Sequence, residues 1–106
     1  MSFHLSAEDI RIEDGHKLVA RLRRDNGELQ DAEIDLNQYL GNDNGHFQWE
    51  GVNFSESAEN VHFAIEGGGE VPVLRARLAN VDGEYLDADV NLSERIENID
   101  GRFEFQ

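Results

Sequence analysis

The sequence predicts an all-β fold built from two pseudo-symmetric tandem repeats, and three observations carry that prediction: an internal duplication, apolar residues recurring with period two, and five Asn-Gly or Asp-Gly pairs between the alternating segments. The duplication comes first because it frames every local reading. LVARLRRDNGELQDAEIDLNQYLGNDNGHFQW, from Leu18 to Trp49, falls without a gap on LRARLANVDGEYLDADVNLSERIENIDGRFEF, from Leu74 to Phe105. Leu18, Ala20, Leu22, Gly27, Asp31, Leu36, Asn42, Gly45 and Phe47 each meet their own residue type. Upstream, FHLSAEDIRI from Phe3 falls on FSESAENVHF from Phe54, and the change of register between the two matches is an insertion at Gly67-Gly68-Gly69. The chain is two copies of a unit of about 50 residues, joined near Gly51.

Within each copy the elements follow in order. Ile10 and Ile12, and in the second copy Val61, Phe63 and Ile65, alternate with polar residues and predict a first strand. Leu18, Ala20 and Leu22, with Leu74, Ala76 and Leu78, predict a second strand, and Pro72 sits near its start in the second copy, where a missing amide is tolerated. Asp14-Gly15, Asn26-Gly27, Asn44-Gly45, Asp82-Gly83 and Asp100-Gly101 read as type I′ hairpin turns, because both central residues need positive φ. Leu36 to Gly41 and Leu92 to Glu97 break the alternation and read as short helical turns; Phe47/Trp49 and Phe103/Phe105 predict the final hairpin strands. A copy of this size is near the lower limit for an independent core, so the two share one.

Composition narrows the function classes. Acidic residues outnumber basic ones 23 to 9, giving a formal charge of -14, and a phosphate backbone or an anionic membrane would be repelled over a Debye length of about 10 Å. No nucleic acid partner and no membrane insertion are expected. With no cysteine there is no disulfide or thiolate metal site, and MSFHLSAED shows no secretory pattern, so the expectation is a cytoplasmic chain, with unconventional export left open.

Catalytic and metal chemistry find little support. Counting back from the glycines of NDNG and NIDG, an EF-hand reading puts Leu40 and Ile96 where calcium demands a carboxylate, and hairpin turns account for the same residues. His4, His16, His46 and His62 fall on polar strand positions with no shared spacing, which is the pattern of surface histidines rather than zinc ligands. No serine stands in a nucleophile elbow, and a paired glycosidase acid and base needs a walled cleft that so small a domain seldom supplies. The reading is therefore non-enzymatic, with no cofactor. What the repeat does offer is turns rich in amide, carboxylate and guanidinium groups, which suit the paired donors and acceptors of sugar hydroxyls; capping of the turns accounts for the same inventory.

The stretch IDLNQYLGNDNGHFQW from Ile34 to Trp49, followed by Asn53-Phe54 and Glu56, together with its copy VNLSERIENIDGRFEF, resembles the cyanovirin-N homology family of mannose-binding lectins. The similarity runs over essentially the whole chain. It implies two pseudo-symmetric halves, each a three-stranded antiparallel sheet plus a β-hairpin with short 3-10 turns, with strands exchanged between the repeats. The halves would be residues 1–38 with 95–106, and 39–94. It further implies Manα1-2Man termini of high-mannose glycans as ligands, one site per half, at opposite ends of an elongated molecule.

In the half holding both termini, the resemblance implies a site from His4, Leu5 and Ser6, then Arg23, Arg24, Asp25 and Asn26, then Glu97, Asn98, Ile99 and Asp100. In the central half it implies Gly41, Asn42, Asp43 and Asn44, then Asn53, Ser55, Glu56 and Ser57, then Ala79, Asn80, Val81, Asp82 and Gly83. There Val81 replaces an arginine, Gly41 a glutamate and Asn44 an aspartate of the founding member. The expectation is a stronger terminal site and a weak or silent central one; the alternative is a structural or protein-interaction module on the same fold with little sugar affinity. Ala7, Leu22, Ala58 and Leu78 occupy the founding member's disulfide positions, as in cysteine-free fungal members, and no proline marks the junction near Gly51. A monomer is expected, with a domain-swapped dimer accessible at high concentration.

Overall fold

The computed structural model describes residues 3–69 and 71–106. A 3-10 turn, η1 (Phe3–Ser6), leads into strands β1 (Ala7–Glu13), β2 (Lys17–Arg23) and β3 (Leu29–Asp35), which pair antiparallel in that order. After η2 (Leu36–Gln38) comes the hairpin β4 (Leu40–Asp43) and β5 (His46–Trp49). The second copy repeats the series: η3 (Phe54–Ser57), the sheet β6 (Ala58–Glu66), β7 (Val71–Ala79) and β8 (Tyr85–Asn91), then η4 (Leu92–Glu94) and the hairpin β9 (Ile96–Ile99) and β10 (Arg102–Phe105). The hairpins cross over: β5 packs on β8, and β10 packs on β3. Each three-stranded sheet is thus completed by the hairpin of the other repeat, the strand exchange expected of the fold.

The core obeys the duplication. Phe3 and Phe54, Leu18 and Leu74, Ile34 and Val90, Leu36 and Leu92, and Leu40 and Ile96 are equivalent pairs, and all ten are buried in one cluster. One core therefore serves both copies, which is how a unit of about 50 residues hides enough apolar surface. Where the resemblance places disulfides, Ala7 faces Leu22 across β1 and β2, and Ala58 faces Leu78 across β6 and β7, with both leucines fully buried. The short turns η2 and η4 are each capped by the residue before them. Asp35 accepts from the Asn37 N–H and Asn91 from the Ser93 N–H, so side chains supply acceptors that a three-residue turn cannot.

Two local expectations change. Asp14-Gly15, Asn44-Gly45 and Asp100-Gly101 have both residues at positive φ, as type I′ turns require, but at Asn26-Gly27 and Asp82-Gly83 only the glycine does. There the Gly27 N–H bonds to the Arg24 carbonyl and the Gly83 N–H to the Asn80 carbonyl, making tight turns that end in a left-handed glycine. The dipeptide alone does not distinguish the two, since either loop needs glycine at its last position. Secondly, Asp9 and Asn60 take left-handed backbone at equivalent breaks in the registers of β1 and β6, leaving a bulge in each.

Candidate functional site

The terminal cluster is assembled by one asparagine. Asn98 donates from Nδ2 to Ser6 Oγ (2.9 Å) and to the Arg23 carbonyl (3.0 Å), and its Oδ1 accepts from the Gly101 N–H (2.8 Å). A primary amide has two N–H donors, and both are spent. Asn98 therefore ties η1, the end of β2 and the β9–β10 turn together. It is a staple, and its amide has no donor left for a sugar.

The two turns so joined meet at their tips. Asp100 Oδ1 accepts from the Asp25 N–H (2.9 Å) and lies 3.8 Å from Arg24 Nε. Gly101 makes this fit possible: a Cβ there would stand 2.7 Å from Arg24 Cγ and 3.1 Å from Gln30 Cδ. Asn26 folds onto Glu28, while Arg23 reaches the Gly27 carbonyl. The surface left sets a guanidinium, the Asp100 carboxylate and turn backbone side by side. Arg24 and Asp100 are each about two-fifths exposed, enough to be reached from solvent and to hold a geometry.

The central cluster repeats the staple. Asn42 Nδ2 donates to Ser57 Oγ and to the Ala79 carbonyl, both at 2.8 Å, and Oδ1 accepts from the Gly45 N–H at 2.8 Å. Asn44 Oδ1 takes the Val81 N–H (3.0 Å), as Asp100 takes that of Asp25. A Cβ on Gly45 would meet Leu86 Cδ1 at 2.7 Å, as one on Gly101 would meet Arg24. The frame is the same and the rim is not. Val81 is 84% exposed and offers no polar atom, while Asn80 folds back onto the Asp82 and Glu84 N–H groups.

Several expected residues stand elsewhere. His4 is in η1 rather than on a polar strand position, and the residue is 7% exposed, with Nε2 2.9 Å from the Gly69 carbonyl of the β6–β7 turn. His16 lies in the β1–β2 turn and pairs with Asp35 at 2.8 Å. Only His46 and His62 are exposed strand histidines. Gly41 is buried: a Cβ on it would stand 3.1 Å from Gly51 Cα and from Val52 N, so the linker's backbone covers it. Ser55 is tied to Asn37 (2.8 Å), and Asn53 enters η3 in left-handed backbone. Leu5, Ile99, Asp43 and Glu56 are exposed around the clusters; Glu97 is half-buried on β9. The staples themselves were missed as staples, although their signal was present: an asparagine three residues before the turn glycine in both copies.

Among the described residues no group of three His, Asp or Glu could hold a metal ion, and no helix is long and apolar enough to cross a membrane. Known proteins fit the same picture. Residues 3–104 match the CVNH domain. A cyanovirin-N homolog of Neurospora crassa is 53% identical over 98% of this chain and 97% of its own length, and its solved structure superposes with a TM-score of 0.87 over 100% of this chain and 99% of that one. The solution structure of the Gibberella zeae protein is 48% identical, with a TM-score of 0.88 over 97% of this chain and 95% of that one. A variant of MoCVNH3, solved in complex with (N-GlcNAc)4, is 28% identical with a TM-score of 0.82, covering 98% and 96% of the two chains. With the duplicated fold, the stapled turns and these likenesses together, the chain belongs to the CVNH family of non-catalytic, carbohydrate-binding lectins and is of its cysteine-free fungal type.

Proposed function

We propose that the chain binds Manα1-2Man termini of high-mannose glycans at the terminal cluster, in the half formed by residues 1–38 and 95–106, and that the central half, 39–94, binds weakly or not at all. One observation carries the reading: the β2–β3 and β9–β10 turns are locked tip to tip, with Arg24 and Asp100 held at the seam. A vicinal diol needs a donor and an acceptor at fixed separation, and Asp100 spends Oδ1 on the Asp25 N–H while its second oxygen supplies the acceptor. Little ordering is required on binding, because the turns are already fixed. In the central cluster Val81 and a neutral Asn44 remove charge-assisted hydrogen bonds, each worth about 1.5 to 3 kcal/mol.

Titration of Manα1-2Man into 15N-labelled protein tests this directly. Shifts are expected at Ser6, Arg24 to Gly27 and Asn98 to Gly101, at lower sugar concentration than any at Asn42 to Gly45. N-acetylglucosamine oligomers, added in a parallel series, should leave those amides in place. Undisturbed amides at millimolar dimannose would sink the assignment and favour the interaction module.

A further inference from the structure

Two concavities lie away from the turn clusters, one on the outer face of each three-stranded sheet. The larger, about 340 Å3, lies on β6–β8 and is walled by Asn60, His62, Arg75, Arg77 and Asp87. The backbone at Ala76 and Ala88, paired across β7 and β8 with their methyl groups turned to the core, forms its floor. The bulge at Asn60 shapes one wall. We propose that this concavity is a further binding site, taking one neutral pyranose through Arg75, Arg77, Asp87 and His62, and that it is independent of the turn clusters.

Three features point to a neutral polyol. The first is alternation of donors and acceptors across the strands: Arg77 lies between Glu59 (2.8 Å) and Asp87 (3.8 Å), and Arg75 between Glu66 and Asp89 (3.6 Å). Each guanidinium is already oriented by a carboxylate of β6, so its remaining N–H groups are fixed before a ligand arrives. The second is the histidine tautomer. His62 Nδ1 lies 2.9 Å from the Asn60 carbonyl, which only accepts, so Nδ1 carries the proton and Nε2 of the neutral ring presents a lone pair. The third is charge: four carboxylates surround two guanidiniums in a chain of net charge -14, which repels an anion but costs an uncharged sugar nothing. The volume is at the small end of ligand pockets, about 300 to 1,000 Å3, and suits one ring.

The duplication supplies an internal control. On the other sheet the equivalent concavity is about 170 Å3, and Val19 stands where β7 has Arg75. Its polar lining is Glu13, Asp31 and Glu33, all carboxylates, and Glu13 is already taken up by Arg11 at 2.7 Å. That concavity should bind nothing.

Methyl α-mannopyranoside titrated into 15N-labelled full-length protein gives the test. The expected result is a set of shifts at Asn60, His62, Arg75, Arg77 and Asp87 with one common dissociation constant, and none at Val19 or Asp31. Arg75→Val, which installs the residue β2 carries at that place, should weaken this set about tenfold or more, as loss of one charge-assisted contact requires. His62→Ala, on an exposed side chain, gives a second variant that keeps the fold. Shifts that are absent at about 0.1 M sugar, a concentration that would half-fill a site with only about 1.4 kcal/mol of standard binding energy, overturn the proposal. So do shifts that survive both substitutions, or shifts that vanish in Asp100→Ala and so report the terminal cluster. Shifts here, together with amides at Asn98 to Gly101 that stay undisturbed in the dimannose titration, would sink the terminal site and leave this one standing.

Discussion

Asn98 and Asp100 are two residues apart in one turn, yet their side chains do separate jobs, and substitution should separate them. Asn98→Ala removes two donated hydrogen bonds and one accepted bond, at about 0.5 to 1.5 kcal/mol each, so a loss of about 2 to 4 kcal/mol is expected in urea unfolding. Asn42→Ala should cost the same, because its three partners are equivalent. Arg24→Ala removes only a half-exposed ion pair, worth about 0 to 1 kcal/mol of stability, but should weaken dimannose binding about tenfold to a hundredfold. If Arg24→Ala unfolds the protein and leaves the affinity alone, the roles have been exchanged. The sequence marks both positions as turn residues in both copies. It does not say which amide is spent inside the protein, because the partners, Ser6 and the Arg23 carbonyl, arrive from distant parts of the chain.

At the scale of elements, the strands and hairpins were legible because period-two alternation and Asn/Asp-Gly pairs are local signals, repeated twice. The bulges at Asp9 and Asn60 were not, since nothing in a single strand records where its partner's register shifts. Gly51 belongs to the same class: the sequence marks it only as the junction of the two copies, whereas in the fold its backbone is pressed against Gly41. A Cβ on Gly51 would stand 2.8 Å from Gly41 Cα and N, both backbone atoms, so Gly51→Ala should cost about 1 to 3 kcal/mol, as overpacking does. Gly68, at positive φ but with nothing within 4 Å, is the comparison, and Gly68→Ala should cost about 1 kcal/mol or less of backbone strain. The η2 cap gives a pH signature. Partial burial would raise the Asp35 carboxyl, but hydrogen bonds from His16 and the Asn37 N–H outweigh it and hold the group below its ordinary 3.8. Its stabilising contribution is thus complete above about pH 4 and lost as pH falls through the lower folded value. Asp35→Asn keeps the cap acceptor, as Asn91 does in η4, and removes the charge. Between pH 5 and pH 2.5, about the span of that titration, the variant should lose less urea resistance than the parent. An identical loss in both would show that Asp35 contributes nothing to the acid limb.

The whole molecule measures 50 × 27 × 22 Å, and its two halves share one frame down to equivalent hydrogen bonds. That identity makes binding strength a matter of rim residues rather than fold. The β6–β8 concavity takes a single pyranose and adds little avidity at an affinity as weak as about 0.1 M, so a chain with one competent cluster should bind a high-mannose glycoprotein as a soluble complex. Cross-linking needs a second cluster, and the frame for one is already present. Asn44→Asp preserves the oxygen that holds the Val81 N–H and adds the charge that Asp100 carries. Val81→Arg, on a side chain that is 84% exposed, adds a donor with room to extend and nothing to displace from the core. The double variant should leave the urea midpoint unchanged, gain dimannose shifts at Asn42 to Gly45, and turn clear mixtures with a multivalent mannose glycoprotein into a precipitate. Avidity would rise about a hundredfold if the geometry allows both ends to engage. If the variant folds, binds at one end only and stays clear, sugar affinity in the central half depends on more than Asn44 and Val81, and Gly41, sealed by the linker where the terminal half carries Glu97, becomes the position to answer for it.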